Sequence, residues 1–264
     1  MPRRSLLFCV LCIVGLTSCE PAPPARLLVF AASSLSESMT SLGKAFEQQH
    51  APVKVDVQFA GSQQLLAQVE QGARPDLFAA ADLSFVSRLG KLGLVKESHV
   101  FAQNQLVLVV AKTSTLELHA IEDLPVARRI VVGAKEVPVG RYTAQLLEAA
   151  DRQLGHDFLK RVQSQIVSYE LNVKQVLGKV LLGEADAGFV YLSDAHGHED
   201  QLRVIEPNAA LRVVAQYPLL LMQPSAQPKL ARSFMEFVLS PPGQQHFAAA
   251  GLTPPAVAAP AQQP

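Results

Sequence analysis

Apolar residues recur along this chain at two alternating spacings. Leu27-Leu28-Val29-Phe30 is a short unbroken apolar run, the mark of a buried strand, and Met39, Leu42 and Phe46 then follow at helical spacing. Residues 53–59 (VKVDVQF) alternate as a strand, Gly61-Ser62 breaks them, and Leu65, Leu66 and Val69 return to the helical period. The cycle continues with a strand over 77–81 (LFAAA) closed by Asp82, then a helix carrying Phe85, Leu89 and Leu92. The strongest strand signal is 105–111 (QLVLVVA), and 130–133 (IVVG) is another. A turn at Pro138-Val139-Gly140 opens a helix with Tyr142, Leu146, Leu147 and Ala150. Val173, Val176, Leu177 and Val180 mark a further helix, and 187–191 (AGFVY) and 217–222 (YPLLLM) two more strands. Phe234, Phe237 and Val238 lie on a helix ended by Pro241-Pro242-Gly243. Strands and helices in alternation predict an α/β architecture with largely parallel sheets.

The strand-to-helix turns carry the chemistry of interest. In FAASSLSESM, Ser33 and Ser34 stand where a strand stops and a helix begins. A serine there caps orphan backbone N–H groups. The same turn also presents free N–H groups and the positive end of a helix dipole, which suit an anion. One such turn does not choose between capping and anion binding; several turns converging on one place do.

The N-terminus adds a destination. Arg3 and Arg4 precede an apolar run from Leu6 to Leu16, too short to span a bilayer and typical of a secretory signal. It ends at Leu16-Thr17-Ser18-Cys19, which resembles the lipobox of bacterial lipoproteins, with cleavage before Cys19 and lipid attachment to it. The alternative is a soluble secreted protein cleaved nearby. Residues 1–18 are thus read as signal peptide and 19–25 as a lipid-attached tether, with Pro-rich EPAPPA as spacer. Removing 1–18 takes away Arg3 and Arg4 and turns a balanced charge of 23 basic and 23 acidic residues into −2. No basic block remains, which argues against nucleic acid as a partner. All three cysteines, Cys9, Cys12 and Cys19, lie in this leader, so the folded part has no disulfide and no thiolate-bound metal. The tail 254–264 is rich in alanine and proline and is expected to be poorly ordered.

Several segments, FAASSL, FAGSQQLL, GARPDLFAAAD, VPVGRYT and GEADAGFVYLSDA, resemble, in order and spacing, the molybdate-binding proteins of bacterial ABC transporters. SPPGQQHFAAAGL looks like that family's C-terminal helix, so the likeness runs from about Arg26 to Leu252. The resemblance implies a two-lobed periplasmic-binding-protein-like fold with two mainly parallel sheets, flanking helices and a ligand cleft between the lobes. One lobe would hold 26–105 and 216–264 and the other 106–215. By similarity the oxyanion is held by Ser34 and Ser62 through hydroxyl and backbone donors, by the backbone N–H groups of Val139 and Val173, and by the Tyr191 hydroxyl. The metal would be reached through the oxyanion oxygens, with no direct protein–metal ligand. Val139 departs from relatives, which often have alanine there, and its β-branched side chain narrows the expected pocket. The implied activity is extracytoplasmic capture of molybdate and tungstate by a monomer with no cofactor and no enzymatic step, and delivery to an ABC permease.

Other residues are weighed beside these. Asp82 and Asp194 are read as turn caps, and Arg141 as a solvated helix residue. Tyr142 and Tyr169 are read as packing residues. His196-Gly197-His198 has metal-like spacing but no third ligand. Sulfate or another tetrahedral oxyanion is the rival ligand. A secreted serine hydrolase is the rival class, and FAASSL lacks the glycine-flanked nucleophile pattern that it needs. An anion sensor is a third reading, without a visible effector module.

Overall fold

The structure is a computed structural model that describes residues 24–155 and 157–255. The signal segment 1–18, Cys19, the tether up to residue 23 and the tail from 256 lie outside the described residues.

The chain order is β1 (Arg26–Ala32), a 3₁₀ turn (Ser33–Leu35), α1 (Ser36–Gln49), β2 (Lys54–Ala60), α2 (Ser62–Glu70), β3 (Leu77–Ala79), α3 (Ser84–Lys91) and β4 (Val95–Ala111). A 3₁₀ segment (Ile121–Val126) leads to β5 (Ile130–Gly133), α4 (Pro138–Leu154), α5 (Asp157–Gln163), β6 (Ile166–Glu170), α6 (Val173–Leu181), β7 (Ala187–Tyr191) and α7 (Leu192–Ala195). The chain closes with β8 (Leu202–Ile205), β9 (Val214–Met222), α8 (Pro228–Leu239) and α9 (Pro241–Ala249).

Alternation in β1 sends Leu27, Val29 and Ala31 to one face, with Met39, Leu42 and Phe46 of α1. Phe30 goes to the other, with Leu65, Leu66 and Val69 of α2 and Phe85 and Leu89 of α3. Helices thus cover both faces of the sheet, as its apolar strands require.

The strands run in the order β2-β1-β3-β9-β4-β7-β5-β6, with β8 also on β4. Pairs β1/β2, β1/β3, β5/β6 and β5/β7 are parallel, as strands joined by crossover helices must be. The sheet as a whole is mixed rather than mainly parallel, because β4 and β9 run antiparallel to each other and to their neighbours β3, β7 and β8. These two strands carry the chain across the molecule in opposite directions, which imposes that geometry. β4 pairs with β9 from Val95 to Gln105, then with β7 from Leu106 to Val110. One continuous strand therefore serves both halves, and the cleft lies between them.

The periodicity reading lacks the first part of β4, α5, β6, the short α7 and β8, and α9 enters only through the resemblance of SPPGQQHFAAAGL to a family's C-terminal helix. In β4, register shifts between Val95 and Glu97 and between Val100 and Ala102 break the period of two that marks a strand. β6 sits at the sheet edge: Ile166 packs against the core, but Val167 and Tyr169 are exposed, so its apolar residues do not gather on one face. Tyr169, expected to pack, is in fact 61% exposed. β3 is shorter than expected: Ala80 and Ala81 stay buried but lie beyond the strand.

Candidate functional site

The parallel strands end on the same side, and the turns that follow them open helices toward one another. This is the crevice beyond strand C-termini where open α/β sheets bind ligands. Ser34 lies in the turn after β1, Ser62 is the first residue of α2, Val139 the second of α4 and Val173 the first of α6. Tyr191 is the last residue of β7. All five residues singled out in the sequence line one cavity of about 210 Å³, mouth included, together with Ser33, Gly61 and Asn172. No lining residue carries a charged side chain.

Each donor is placed by local chemistry. The first N–H groups of a helix have no acceptor within it, so those of Val139 and Val173 are available to a ligand. Pro138 opens α4 with a preset φ and no N–H to leave unpaired. Gly140 lets the first turn of α4 sit against the end of β5: a Cβ there would lie 2.0 Å from Ala134 O and 2.4 Å from Gly133 O. Asn172 caps α6, its Oδ1 accepting from Gln175 N–H at 3.1 Å. Gly61 precedes α2 and approaches the other half of the molecule so closely that a Cβ would lie 2.4 Å from Leu171 O.

The side-chain donors are held as donors. Ser62 Oγ accepts from Ala81 N–H at 3.2 Å, a group available because Ala81 has left the β3 ladder. The only partner of Ser34 Oγ among the described residues is Tyr217 Oη, at 3.0 Å. Tyr191 Oη is buried and has no partner among the described residues. An unpaired buried hydroxyl costs about 1–3 kcal/mol, a cost that an acceptor in the cavity would remove. Burial pushes the Tyr191 and Tyr217 phenols well above their usual range, so both keep their protons. What the cavity offers is therefore hydrogen-bond donation without net positive charge.

The two sides of the cleft also meet around the cavity. Gln63 of α2 donates to Leu171 O at 2.6 Å. Arg141 of α4 lies 3.1 Å from Asp82, donates to Ser84 Oγ at 3.3 Å and stacks over Phe85 at 5.5 Å. Lys174 of α6 reaches Glu37 of α1 at 3.7 Å and the buried Asp194 at 3.2 Å. Burial raises the Asp194 carboxyl, and Lys174 opposes that shift.

Arg141, expected to be solvated, instead bridges the cleft. Asp82 does cap its turn, accepting from Ser84 N–H at 2.7 Å, while its other oxygen faces Arg141. Asp194 accepts from Tyr191 N–H at 3.3 Å across the first turn of α7. Tyr142 is largely buried and packs edge-on against Tyr191, 6.3 Å between centroids. His196 pairs with Glu199 at 3.2 Å, and among the described residues no group of three or more His, Cys, Asp or Glu is placed to hold a metal. Sequence reasoning missed Tyr217 and Asn104, which lie behind the cavity on the crossing strands; no local motif marks them.

Residues 27–253 match the family described as bacterial extracellular solute-binding protein. The chain is 32% identical to the molybdate-binding protein ModA of Mycobacterium tuberculosis over 256 residues, which covers 92% of this chain and 94% of that one. It is 30% identical to the substrate-binding domain of a putative molybdenum ABC transporter from Clostridium difficile, with a TM-score of 0.66 over 87% of this chain and 99% of that chain. The sulfate-binding protein SubI of Mycobacterium tuberculosis superposes with a TM-score of 0.77 over 88% of each chain, but at 16% identity this likeness concerns the fold alone. With its two-lobed α/β architecture and its cleft at the strand C-termini, the chain belongs to the bacterial extracellular solute-binding proteins.

Proposed function

We propose that this protein captures molybdate, and with it tungstate, outside the cytoplasm and delivers it to an ABC permease. The observation that carries this reading is the donor set: hydroxyls of Ser34, Ser62 and Tyr191 and helix-opening N–H groups of Val139 and Val173 around one cavity without a charged lining residue. Molybdate and tungstate near neutral pH are tetrahedral dianions without a proton, so every oxygen can only accept. Hydrogen bonds to a charged partner contribute roughly 1.5–3 kcal/mol each. The helix N-termini add about 0.3–1 kcal/mol each, more where buried. Together these offset desolvation without a lysine or arginine that would hold anions indiscriminately. The relatives named for molybdate favour this cargo over sulfate, which shares its shape and charge and differs in shorter bonds.

In this reading one lobe comprises 26–105 and 216–264 and the other 106–215, and the chain hinges where β4 and β9 cross. Ligand binding draws the lobes together, with Gln63, Arg141 and Lys174 meeting their partners at the rim. The protein acts as a monomer, with no cofactor and no covalent step. The hydroxyl neighbours favour this over hydrolysis, since Ser34 bonds a tyrosine whose burial keeps it protonated and Ser62 a backbone N–H, and neither is placed to take up a proton. The lipobox-like sequence ending in Cys19 supports export and lipid anchoring at the membrane.

Competition calorimetry with molybdate, tungstate, sulfate and hydrogen phosphate tests the cargo. Molybdate and tungstate should bind most tightly and displace the others; a preference for sulfate would reassign the protein. Mass spectrometry of the mature N-terminus tests the anchor: a diacylglyceryl-modified Cys19 is expected, and an unmodified N-terminus elsewhere would contradict it.

A further inference from the structure

The side chains that line the cavity are neutral, but a buried carboxylate stands directly behind two of them. Asp194 is the third residue of α7, and its side chain is fully out of solvent. One of its oxygens accepts from Tyr191 N–H at 3.3 Å and so fixes the turn that follows Tyr191. The other, Oδ1, is buried with no hydrogen-bond partner among the described residues. What it faces is the Lys174 ammonium, 3.2 Å away. Lys174 directly follows Val173, the residue that opens α6. The ion pair thus joins the turns of Val173 and Tyr191, both of which line the cavity.

A carboxylate in that place works against a dianion. Like charges repel, and protein walls screen the repulsion far less than water does. The charge of Asp194 reaches the site: burial is the main cause that keeps the Tyr191 and Tyr217 phenols protonated, and the Asp194 carboxylate adds to it at both. The groups that face Asp194 are Lys174 of α6, Glu37 of α1, the Tyr191 backbone N–H and the phenols of Tyr191 and Tyr217. Glu37 has the same sign as Asp194, but its side chain is 62% exposed and water screens it. Among the described residues, Lys174 is the one cation within ion-pair distance of Asp194.

We infer, resting on the oxyanion reading, that Lys174 is the counter-ion of the site: without touching the ligand, it cancels the Asp194 carboxylate, so that a dianion meets no net charge behind Val173 and Tyr191. Discrimination by neutral donors then depends on a charge balance one layer back. Loss of the cation alone upsets that balance, and loss of both charges keeps it.

The test is molybdate calorimetry on the wild type, Lys174→Met, Asp194→Asn, the variant with both changes, and Glu37→Gln, between neutral and mildly alkaline pH, where molybdate stays a dianion. Lys174→Met keeps the length of the stem and removes its charge. At the alkaline end its affinity should lie about tenfold below the wild type, from one uncancelled charge acting on a dianion. Affinity should recover as the pH falls, because burial without a cation raises the Asp194 carboxyl further and a proton then takes the place of the lysine. Binding is strong while that carboxyl is protonated and is lost as the pH rises through its titration. In the double variant asparagine still offers Tyr191 N–H an acceptor and no charge remains, so affinity should return to within a few-fold of the wild type, without the slope. Lys174→Met that binds like the wild type throughout, or a double variant that binds no better than Lys174→Met, overturns the inference. So does a loss in Glu37→Gln as large as that in Lys174→Met, since the lysine would then act through the cross-cleft pair. A packing role would weaken the double variant at least as much as the single one, with no dependence on pH. If thermal unfolding shows that Lys174→Met does not fold, Asp194→Asn is compared with the double variant: its uncancelled cation should make it bind molybdate more tightly, by more than Glu37→Gln loses, and equal or weaker binding overturns the inference. Wild type that prefers sulfate would sink the cargo assignment and not this one, and the series is then read with sulfate, also a dianion. Failure to bind either anion overturns both.

Discussion

The two sides of the cleft do the same work with different parts. On the side of β1 and β2, the donors are serine hydroxyls, whose direction depends on neighbours: Ala81 N–H for Ser62 and Tyr217 for Ser34. On the side of β5 and β6, the residues at the corresponding turns are valines, and what they offer is the backbone N–H at the start of a helix. The hydroxyl side is adaptable, since a serine O–H rotates about its Cβ–Oγ bond. The amide side is rigid, since the helix itself sets the direction, and there the side chain only shapes the cavity. Tyr191 belongs to the second side but behaves like the first, with a rotatable hydroxyl that has no partner among the described residues.

The comparison is broken most severely where the two sides touch. Gly61→Ala would place a Cβ 2.4 Å from Leu171 O, a backbone atom across the cleft. Overpacking of about 1–3 kcal/mol falls on the closed form, so molybdate affinity should drop about tenfold to hundredfold. The thermal midpoint measured without ligand should fall far less; a variant that binds normally would show that the halves do not approach at this point.

The next effect separates the two kinds of donor. Ser34→Ala or Ser62→Ala removes the donating atom and should cost about 1.5–3 kcal/mol of binding. Val139→Ala keeps its N–H and should change affinity by a few-fold at most, while lowering the thermal midpoint because a buried side chain is cut back. Should the serine variants lose stability and keep affinity, the serines are helix caps and nothing more.

The smallest effect belongs to the rim. Arg141→Ala removes a partly exposed ion pair with Asp82, which contributes about 0.2–1 kcal/mol. Affinity should fall a few-fold at low salt and less at high salt. A change of a hundredfold would place Arg141 in the ligand shell rather than at the lip of the cleft.

The same asymmetry decided what could be read from sequence. Serines at strand-to-helix turns are visible as chemistry, and the alternation of elements located both. Valines that donate through their backbone carry no chemical signature; similarity to relatives suggested Val139 and Val173, and the helix boundaries put them in the cavity. Asn104 and Tyr217 were not legible, because Ser34 meets a residue 183 positions away through folding alone. Arg141 was misread for the same reason: its partners Asp82 and Ser84 come from the opposite side of the cleft. In the fold, β1, β2 and β7 stood out by unbroken or alternating apolar runs. The first part of β4 did not, since its bulges shift which residues face the core.

The proposed function requires that uncharged donors from both sides of the cleft enclose one bare tetrahedral oxyanion. A crystal structure grown with molybdate, read at the anomalous signal of molybdenum, tests it most directly. One heavy-atom peak is expected in the cleft, its oxygens within hydrogen-bond distance of the Ser34, Ser62 and Tyr191 hydroxyls and the Val139 and Val173 N–H groups. A peak bound at a charged side chain elsewhere, or none at saturating molybdate, would contradict it.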